Sequence, residues 1–200
     1  TQNAFMVPEG STLTLNNVET TIDGDNTLTN AGTIDMDDAS SLTVASGATL
    51  HQAGTVNGTV VNNGTYTKYV ARVGNNGYES LEAALEAVKS SGGTITLLND
   101  ATVNNANYTI SKDVTIQTSA PSVDNVPTIT VNVAAGASTV GITIQNGGSL
   151  TLDGAAMVVN GTEGTSGLES DKYNGTGLDV NYGGELTLEN GASLALNGLN

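Results

Sequence analysis

Apolar and polar residues alternate along much of this chain, as at Leu13 and Leu15, Leu42 and Val44, Leu150 and Leu152, and Leu186 and Leu188. A period of two is the signature of strands with one buried face. Each run lasts only a few residues and ends in Asn, Gly or Asp, where a sharp bend and a positive φ are cheap. The runs are evenly placed, because Ile34 to Leu42, Leu42 to Leu50, Ile142 to Leu150 and Leu178 to Leu186 are each 8 residues apart.

The same phrases also recur. "TLTNAGTID" (Thr27 to Asp35) returns as "TLHQAGTVN" (Thr49 to Asn57) at an offset of 22, and "GGSLTLDGAAMVVNG" (Gly147 to Gly161) returns as "GGELTLENGASLALNG" (Gly183 to Gly198). Two or three short strands per period suit a coil that winds round and stacks each turn on the previous one, an all-β solenoid. Leu28, Ile34, Leu50, Val56, Leu150, Leu152, Leu186 and Leu188 then point inward. Leu28 is expected above or below Leu50, and Leu150 above or below Leu186, at ~4.8 Å.

One segment breaks the pattern. "YESLEAALEAVKSS" (Tyr78 to Ser91) places Leu81, Ala84, Leu85 and Val88 at helical spacing, with Ser80 as N-cap and Gly92-Gly93 as the stop. The spacing predicts a short amphipathic helix over about 79–91 that closes the open end of a coil. The expected organisation is therefore solenoid coils with a 22-residue repeat over 1–68, and a second section over 69–200 opened by the capping helix. The second section is expected to be truncated at its C-terminal end, as a fragment of a longer protein. Leu150 and Leu186 are 36 residues apart, and the excess is assigned to "GTEGTSGLESDKYNGTG" (Gly161 to Gly177), which becomes a loop on one face.

The string "YESLEAALEAVKSSGGTITLLND" resembles the opening of pectin-lyase-like right-handed parallel β-helix domains in large bacterial surface proteins, over about Tyr69 to Asn200. The earlier "NAGTI", "NGTV" and "NNGTY" resemble adhesin or autotransporter-type β-helix passengers. The resemblance implies a right-handed parallel β-helix in an extracellular, cell-surface setting. No active site comes with it.

Composition narrows the partners. Acidic residues outnumber basic ones 20 to 5, for a net charge of −15, and the cations Lys68, Arg72, Lys89, Lys112 and Lys172 are scattered, so a nucleic acid would be repelled. There is no cysteine, which excludes disulfides and thiolate metal sites and suits an exported bacterial protein held together by burial. No run approaches the ~20 apolar residues of a membrane span, so no membrane insertion is expected in this fragment.

β-Helix polysaccharide lyases and hydrolases, which the resemblance brings to mind, need carboxylates clustered with Arg, Lys or His. This chain has one His and one Arg. His51 replaces Thr29 of the paired repeat at an outward position, and Arg72 reads as a solvated charge in the junction. Calcium is the cofactor to consider, with Asp23 and Asp25 of "DGDN" as ligands, although a turn explains the same residues. In "DMDD", Asp35 and Asp37 read as a solubilising outer edge. The sequons at Asn57, Asn63 and Asn160 sit at turns and carry no assigned glycan. Alternating Thr suggests an ice-binding array, but outward neighbours change from coil to coil.

The remaining candidate is the long loop. It concentrates Glu163, Glu169, Asp171 and Tyr173, with Asp179 and Tyr182 on the stretch that follows. Tyr rings stack on sugars, and carboxylates bind hydroxyls or Ca²⁺. A polar insertion without a site is the competing reading. The function expected is a structural and adhesive segment of an exported bacterial surface protein, non-enzymatic, presenting loops to glycans or host-surface molecules. The alternative is a fragment of a β-helix polysaccharide lyase or glycoside hydrolase whose catalytic coils lie outside this chain.

Overall fold

A computed structural model describes residues 3–104, 107–118, 126–133, 140–161 and 176–197. Nearly all regular structure is short parallel strands stacked in register, with one helix, and the architecture is a parallel β-helix. The chain divides into two compact units, Thr1–Glu79 and Ser80–Asn200. Among the described residues, no helix is long and apolar enough to cross a membrane.

In the first unit, coil one contains β1 (Ala4–Val7), β2 (Thr12–Leu15) and β3 (Glu19–Ile22), and coil two contains β4 (Thr27–Asn30), β5 (Thr33–Met36) and β6 (Ser41–Val44). Coil three contains β7 (Thr49–Gln52), β8 (Thr55–Asn57) and β9 (Thr59–Asn62), and β10 (Thr65–Lys68) begins a fourth. The sheets run β1-β4-β7-β10, β2-β5-β8 and β3-β6-β9, so each strand pairs with its counterpart one coil away. Leu28 pairs with Leu50 and Ile34 with Val56, as the 22-residue repeat predicts, whereas Leu42 pairs with Val60 at an offset of 18. Val7, Leu15, Ile22, Leu28, Ile34, Met36, Leu42, Val44, Ala48 and Leu50 form one buried core, against which Val56, Val60 and Tyr66 pack half-buried.

The third coil is shorter, because Thr49 meets Thr65 at an offset of 16. Its β8–β9 corner is a single residue, Gly58, at φ 114°; a Cβ there would lie 2.6 Å from the Cβ of Met36, so only glycine makes this bend. After β10, β11 (Ala71–Val73) and β12 (Asn76–Tyr78) form an antiparallel hairpin. The hairpin is fastened to coil one by Arg72, whose Nη2 lies 2.6 Å from Glu9 Oε1. Arg72 is only 7% exposed, which corrects its reading as a solvated charge; its Nε and Nη1 are buried without a hydrogen-bond partner among the described residues. Glu9 is therefore the one carboxylate that keeps a buried guanidinium paired.

In the second unit, α1 (Leu81–Val88) precedes β13 (Gly93–Leu97), β14 (Ala101–Asn104) and β15 (Tyr108–Ile110). The next coil holds β16 (Asp113–Thr118), β17 (Thr128–Val133) and β18 (Val140–Ile144), and the third holds β19 (Ser149–Asp153), β20 (Ala156–Gly161) and β21 (Thr176–Val180). β22 (Glu185–Glu189) and β23 (Ser193–Asn197) follow. Strands β13, β16, β19 and β22 stack in that order, as do β14, β17, β20 and β23, and β15, β18 and β21. Leu150 sits between Val114 and Leu186, and Leu152 between Ile116 and Leu188. Leu186 and Leu188 are in register yet not fully buried, because β22 has a neighbour on one side only.

The sequence assigned the long repeat to the insertion at 161–177, but the preceding coil is just as long. Asp113 pairs with Ser149, an offset of 36, like Ser149 with Glu185. The extra residues of that earlier coil fall between β16 and β17 and between β17 and β18, whereas those of the next fall between β20 and β21. The core columns resume directly across each gap, with Ile144 on Val180 and Val159 on Leu196.

The helix caps the second unit. Ser80 Oγ accepts from Ala83 N at 3.2 Å, and Gly92, at φ 72°, donates to Val88 O at 2.7 Å, closing the C-terminus. Leu81, Ala84, Leu85 and Val88 are buried, and the helix packs over β13 and β14. Replacing Leu85 by Asp puts a carboxylate in this dry seam, and urea unfolding is expected to show a loss of about 3 kcal/mol or more.

Candidate functional site

Because successive residues of a strand face opposite ways, stacking turns every outward position into a column running along the coils. One column is an asparagine ladder. Asn132 Nδ2 donates to Asn104 Oδ1 at 3.0 Å, Asn160 to Asn132 at 3.2 Å, and Asn197 to Asn160 at 3.1 Å. The middle amides, Asn132 and Asn160, both donate and accept, so the ladder ties four coils along one face. Its signal was present in the sequence, in the Asn that closes "TVN" at Asn104 and Asn132, "VVN" at Asn160 and "ALN" at Asn197. A second column is Thr94, Thr115, Thr151 and Thr187, beside Thr96, Gln117, Asp153 and Glu189. The Thr column is one residue wide with a changing neighbour, so it makes no two-dimensional array.

Of the residues predicted to form a binding loop, Glu163, Glu169, Asp171 and Tyr173 lie outside the described residues. Asp179 follows Thr109 and Thr143 in an outward column and is half-buried. Tyr182 lies in the corner after β21 and is 96% exposed, its ring free on both faces to solvent. Asp179 and Tyr182 thus stand just beyond the point where the 161–177 insertion rejoins the stack.

Asp23 and Asp25 lie in the corner between β3 and β4, both exposed. Asp23 Oδ1 accepts from Asn26 Nδ2 at 3.1 Å, its carbonyl accepts from Asn26 N at 3.2 Å, and Asn26 Oδ1 accepts from Asn3 N at 3.1 Å, so the corner is a coil-to-coil tie. Among the described residues, no group of three or more His, Asp or Glu is placed to hold a metal ion. Asp37 corrects the solubilising-edge reading of "DMDD", because it lies past the end of β5 and caps a corner. Its Oδ1 accepts from Ser40 Oγ at 2.6 Å and from Ala39 N at 3.2 Å, and its Oδ2 from Asn17 N of the previous coil at 2.9 Å. The Ser40 hydroxyl, ahead of the backbone donors, holds this carboxyl below its ordinary value.

His51 does face outward, in the column Thr29, His51 and Thr67. Its ring stacks on Tyr69 at a centroid separation of 5.6 Å, with Nδ1 2.9 Å from the Tyr69 hydroxyl. Beneath Tyr69 lies Gly77 of the hairpin, where a Cβ would come within 1.9 Å of the ring. The histidine is thus part of the packing that seats the hairpin.

Among the described residues of the second unit, two clefts are lined largely by polar side chains. One, of about 320 Å³, is lined by Glu86, Lys89, Asn107, Tyr108 and Thr109, with Lys89 Nζ 3.0 Å from Glu86 Oε2. The Tyr108 hydroxyl donates to the carbonyl of Glu82, joining cap to coil. The other, of about 260 Å³, is lined by Gln117, Thr118, Asp153, Gly154 and Asn190, and Asn190 Nδ2 donates to Asp153 Oδ1 at 2.6 Å. Amides, hydroxyls and single carboxylates in shallow clefts can hydrogen-bond sugar hydroxyls. Comparison with known proteins finds no matching family model, no matching curated protein and no matching solved structure.

Two outcomes follow from these contacts. Replacing Asn132 by Ala removes two rungs of the ladder at once and is expected to cost about 1 kcal/mol in urea unfolding, since the column is partly solvated. Burial, and after it the charges of Glu86 and Glu82, push the Tyr108 hydroxyl above its ordinary value of 10.0. The unfolded chain therefore releases this proton at lower pH than the folded one, so the stabilisation is complete below about pH 10 and falls as pH rises through the folded value. Tyr108→Phe is expected to flatten the alkaline decline of the urea midpoint; Tyr66 and Tyr69, raised in the same direction, keep part of the slope.

Proposed function

We propose that this chain is a structural and adhesive segment of an exported bacterial surface protein, in which a pectin-lyase-like β-helix carries loops that bind glycans or host-surface molecules. The observation that carries the reading is the placement of Asp179 and the bare Tyr182 ring where a long polar insertion rejoins an uninterrupted stack. A core that passes the insertion without losing register leaves the loop free to vary, which is how scaffolded binding loops are built. An exposed tyrosine ring offers an apolar face to a pyranose with a hydroxyl at its edge, and an outward carboxylate supplies an acceptor for sugar hydroxyls. The acidic surface and the resemblance to surface β-helices support the same setting. His51 and Arg72 are both engaged in seating the hairpin, so neither is placed to act on a sugar.

A glycan array and a calcium titration test this on three proteins: the intact chain, a chain lacking 162–175, and Tyr182→Ala. The expected result is glycan retention by the intact chain, reduced at least fivefold in both variants, with unchanged thermal midpoints. Equal signals in all three would remove the loop as a site. Cleavage of pectin, alginate or a host glycan by the intact chain would favour the lyase or hydrolase reading instead.

A further inference from the structure

The outward columns of the second unit leave a gap at one corner. Gln117 pairs with Asp153 and Asp153 with Glu189, so the next positions, Thr118, Gly154 and Asn190, follow one another from coil to coil. Gly154 brings no side chain to this corner, and the space between its neighbours is the cleft of about 260 Å³ lined by Gln117, Thr118, Asp153, Gly154 and Asn190. A Cβ at Gly154 would lie 3.3 Å from Thr118 Oγ1 and 3.7 Å from Asn190 O. The backbone behind the cleft is fixed, because Gly154 N donates to Glu189 O at 3.0 Å and Ser193 N to Ala155 O at 3.2 Å.

The polar groups around the cleft are held in a defined sense. Asn190 Nδ2 donates to Asp153 Oδ1 at 2.6 Å; a carboxylate only accepts, so this contact fixes which end of the Asn190 amide is the nitrogen. Gln117 Nε2 donates to Thr96 Oγ1 at 3.3 Å. Both amides therefore meet the stack through their nitrogens, and Asn190 Oδ1, Gln117 Oε1 and Asp153 Oδ2 have no partner among the described residues. Three acceptors remain, one of them on a carboxylate, and none of the five lining residues is cationic. Glu189 stands one strand from Asp153 in the same outward column, so like charges are adjacent and a cation beside them is favoured.

A primary ammonium carries three donors and no acceptor, which is the complement of this set. Its bond to a carboxylate is charge-assisted. A lysine side chain would bring the ammonium alone. The Thr118 hydroxyl and the remaining N–H groups of Gln117 and Asn190 call for hydroxyls beside the amine, which an amino sugar supplies. The cleft is smaller than the ~300 Å³ at which pockets for drug-sized ligands begin, so it suits a single ring.

We propose that this cleft binds the protonated amine of an unacetylated amino sugar, with Asp153, Asn190 and Gln117 as acceptors and Thr118 paired with a ring hydroxyl. The site uses neither the 162–175 insertion nor Tyr182, so it stands or falls independently of the loop.

Amide NMR on the intact chain follows Gly154 and the side-chain amides of Gln117 and Asn190 during titration with a glucosamine trimer. Saturable shifts are expected with a Kd of about 1 mM, as suits a solvated ion pair. The N-acetylated trimer has the same rings without the charge and is expected to bind at least tenfold more weakly. Gly154→Asn fills the cleft, and the backbone accepts it because Asn190 occupies the equivalent position at φ 50°, against 67° for Gly154. Asp153→Asn removes the charge and keeps an acceptor for Asn190. Each variant is expected to weaken binding of the glucosamine trimer at least fivefold with an unchanged thermal midpoint, whereas the chain lacking 162–175 and Tyr182→Ala retain it. Equal shifts from the acetylated trimer, from Nα-acetyl-lysine amide or from calcium chloride, or undiminished binding by both cleft variants, would each overturn the proposal.

Discussion

In-register stacking of strand upon strand holds this protein together. Each parallel pair places a backbone hydrogen-bond ladder and an inward apolar column in the same direction, so one geometric repeat satisfies both the polar backbone and the hydrophobic core. Ile95, Ile116, Leu152 and Leu188 show the consequence, since the first three are fully buried and the last, with a neighbour on one side, is not. With a single Phe and no Trp, the core relies on the fit of branched aliphatic residues, and small residues at the bends allow coils to approach closely.

Everything else in the architecture keeps that stack in register. Asp37 ties a corner of one coil to the backbone of the one before, Asn26 does so at another corner, and the asparagine ladder repeats the device along a strand face. Where the stack has to begin, α1 covers it with an apolar stripe. Where the first unit hands on to the hairpin, the unusual residues are used: the lone His, the lone Arg and a Tyr resting on Gly77. Rare chemistry is concentrated there because a hairpin running against the parallel pattern needs specific contacts that stacking does not provide.

Such a scaffold separates stability from recognition. Inward columns carry the folding energy, so corners and outward columns are free to vary, and insertions as long as those between β20 and β21 do not disturb the strands beyond them. The candidate binding residues Asp179 and Tyr182 belong to that free outer layer. The asparagine ladder and the capped corners also face outward, yet their partners are other side chains and backbone groups of the stack.

The sequence by itself determined the period-two strands, the 22-residue stacking offset, the pairing of Leu28 with Leu50 and of Leu150 with Leu186, and the helix with both of its caps. These are local signals, or repeats compared at a fixed distance, and stacking preserves them. Only the tertiary structure decided what Arg72, His51 and Asp37 do, because their partners at Glu9, Tyr69 and Asn17 stand 63, 18 and 20 residues away. The same holds for the earlier 36-residue coil, which has no repeated phrase to reveal it, and for the bonding of the asparagine ladder, since the Asn that closes each strand phrase does not by itself show that the amides meet. Periodicity carries the core because identical residues stack on one another, whereas a single residue that meets an unlike partner leaves no period to read.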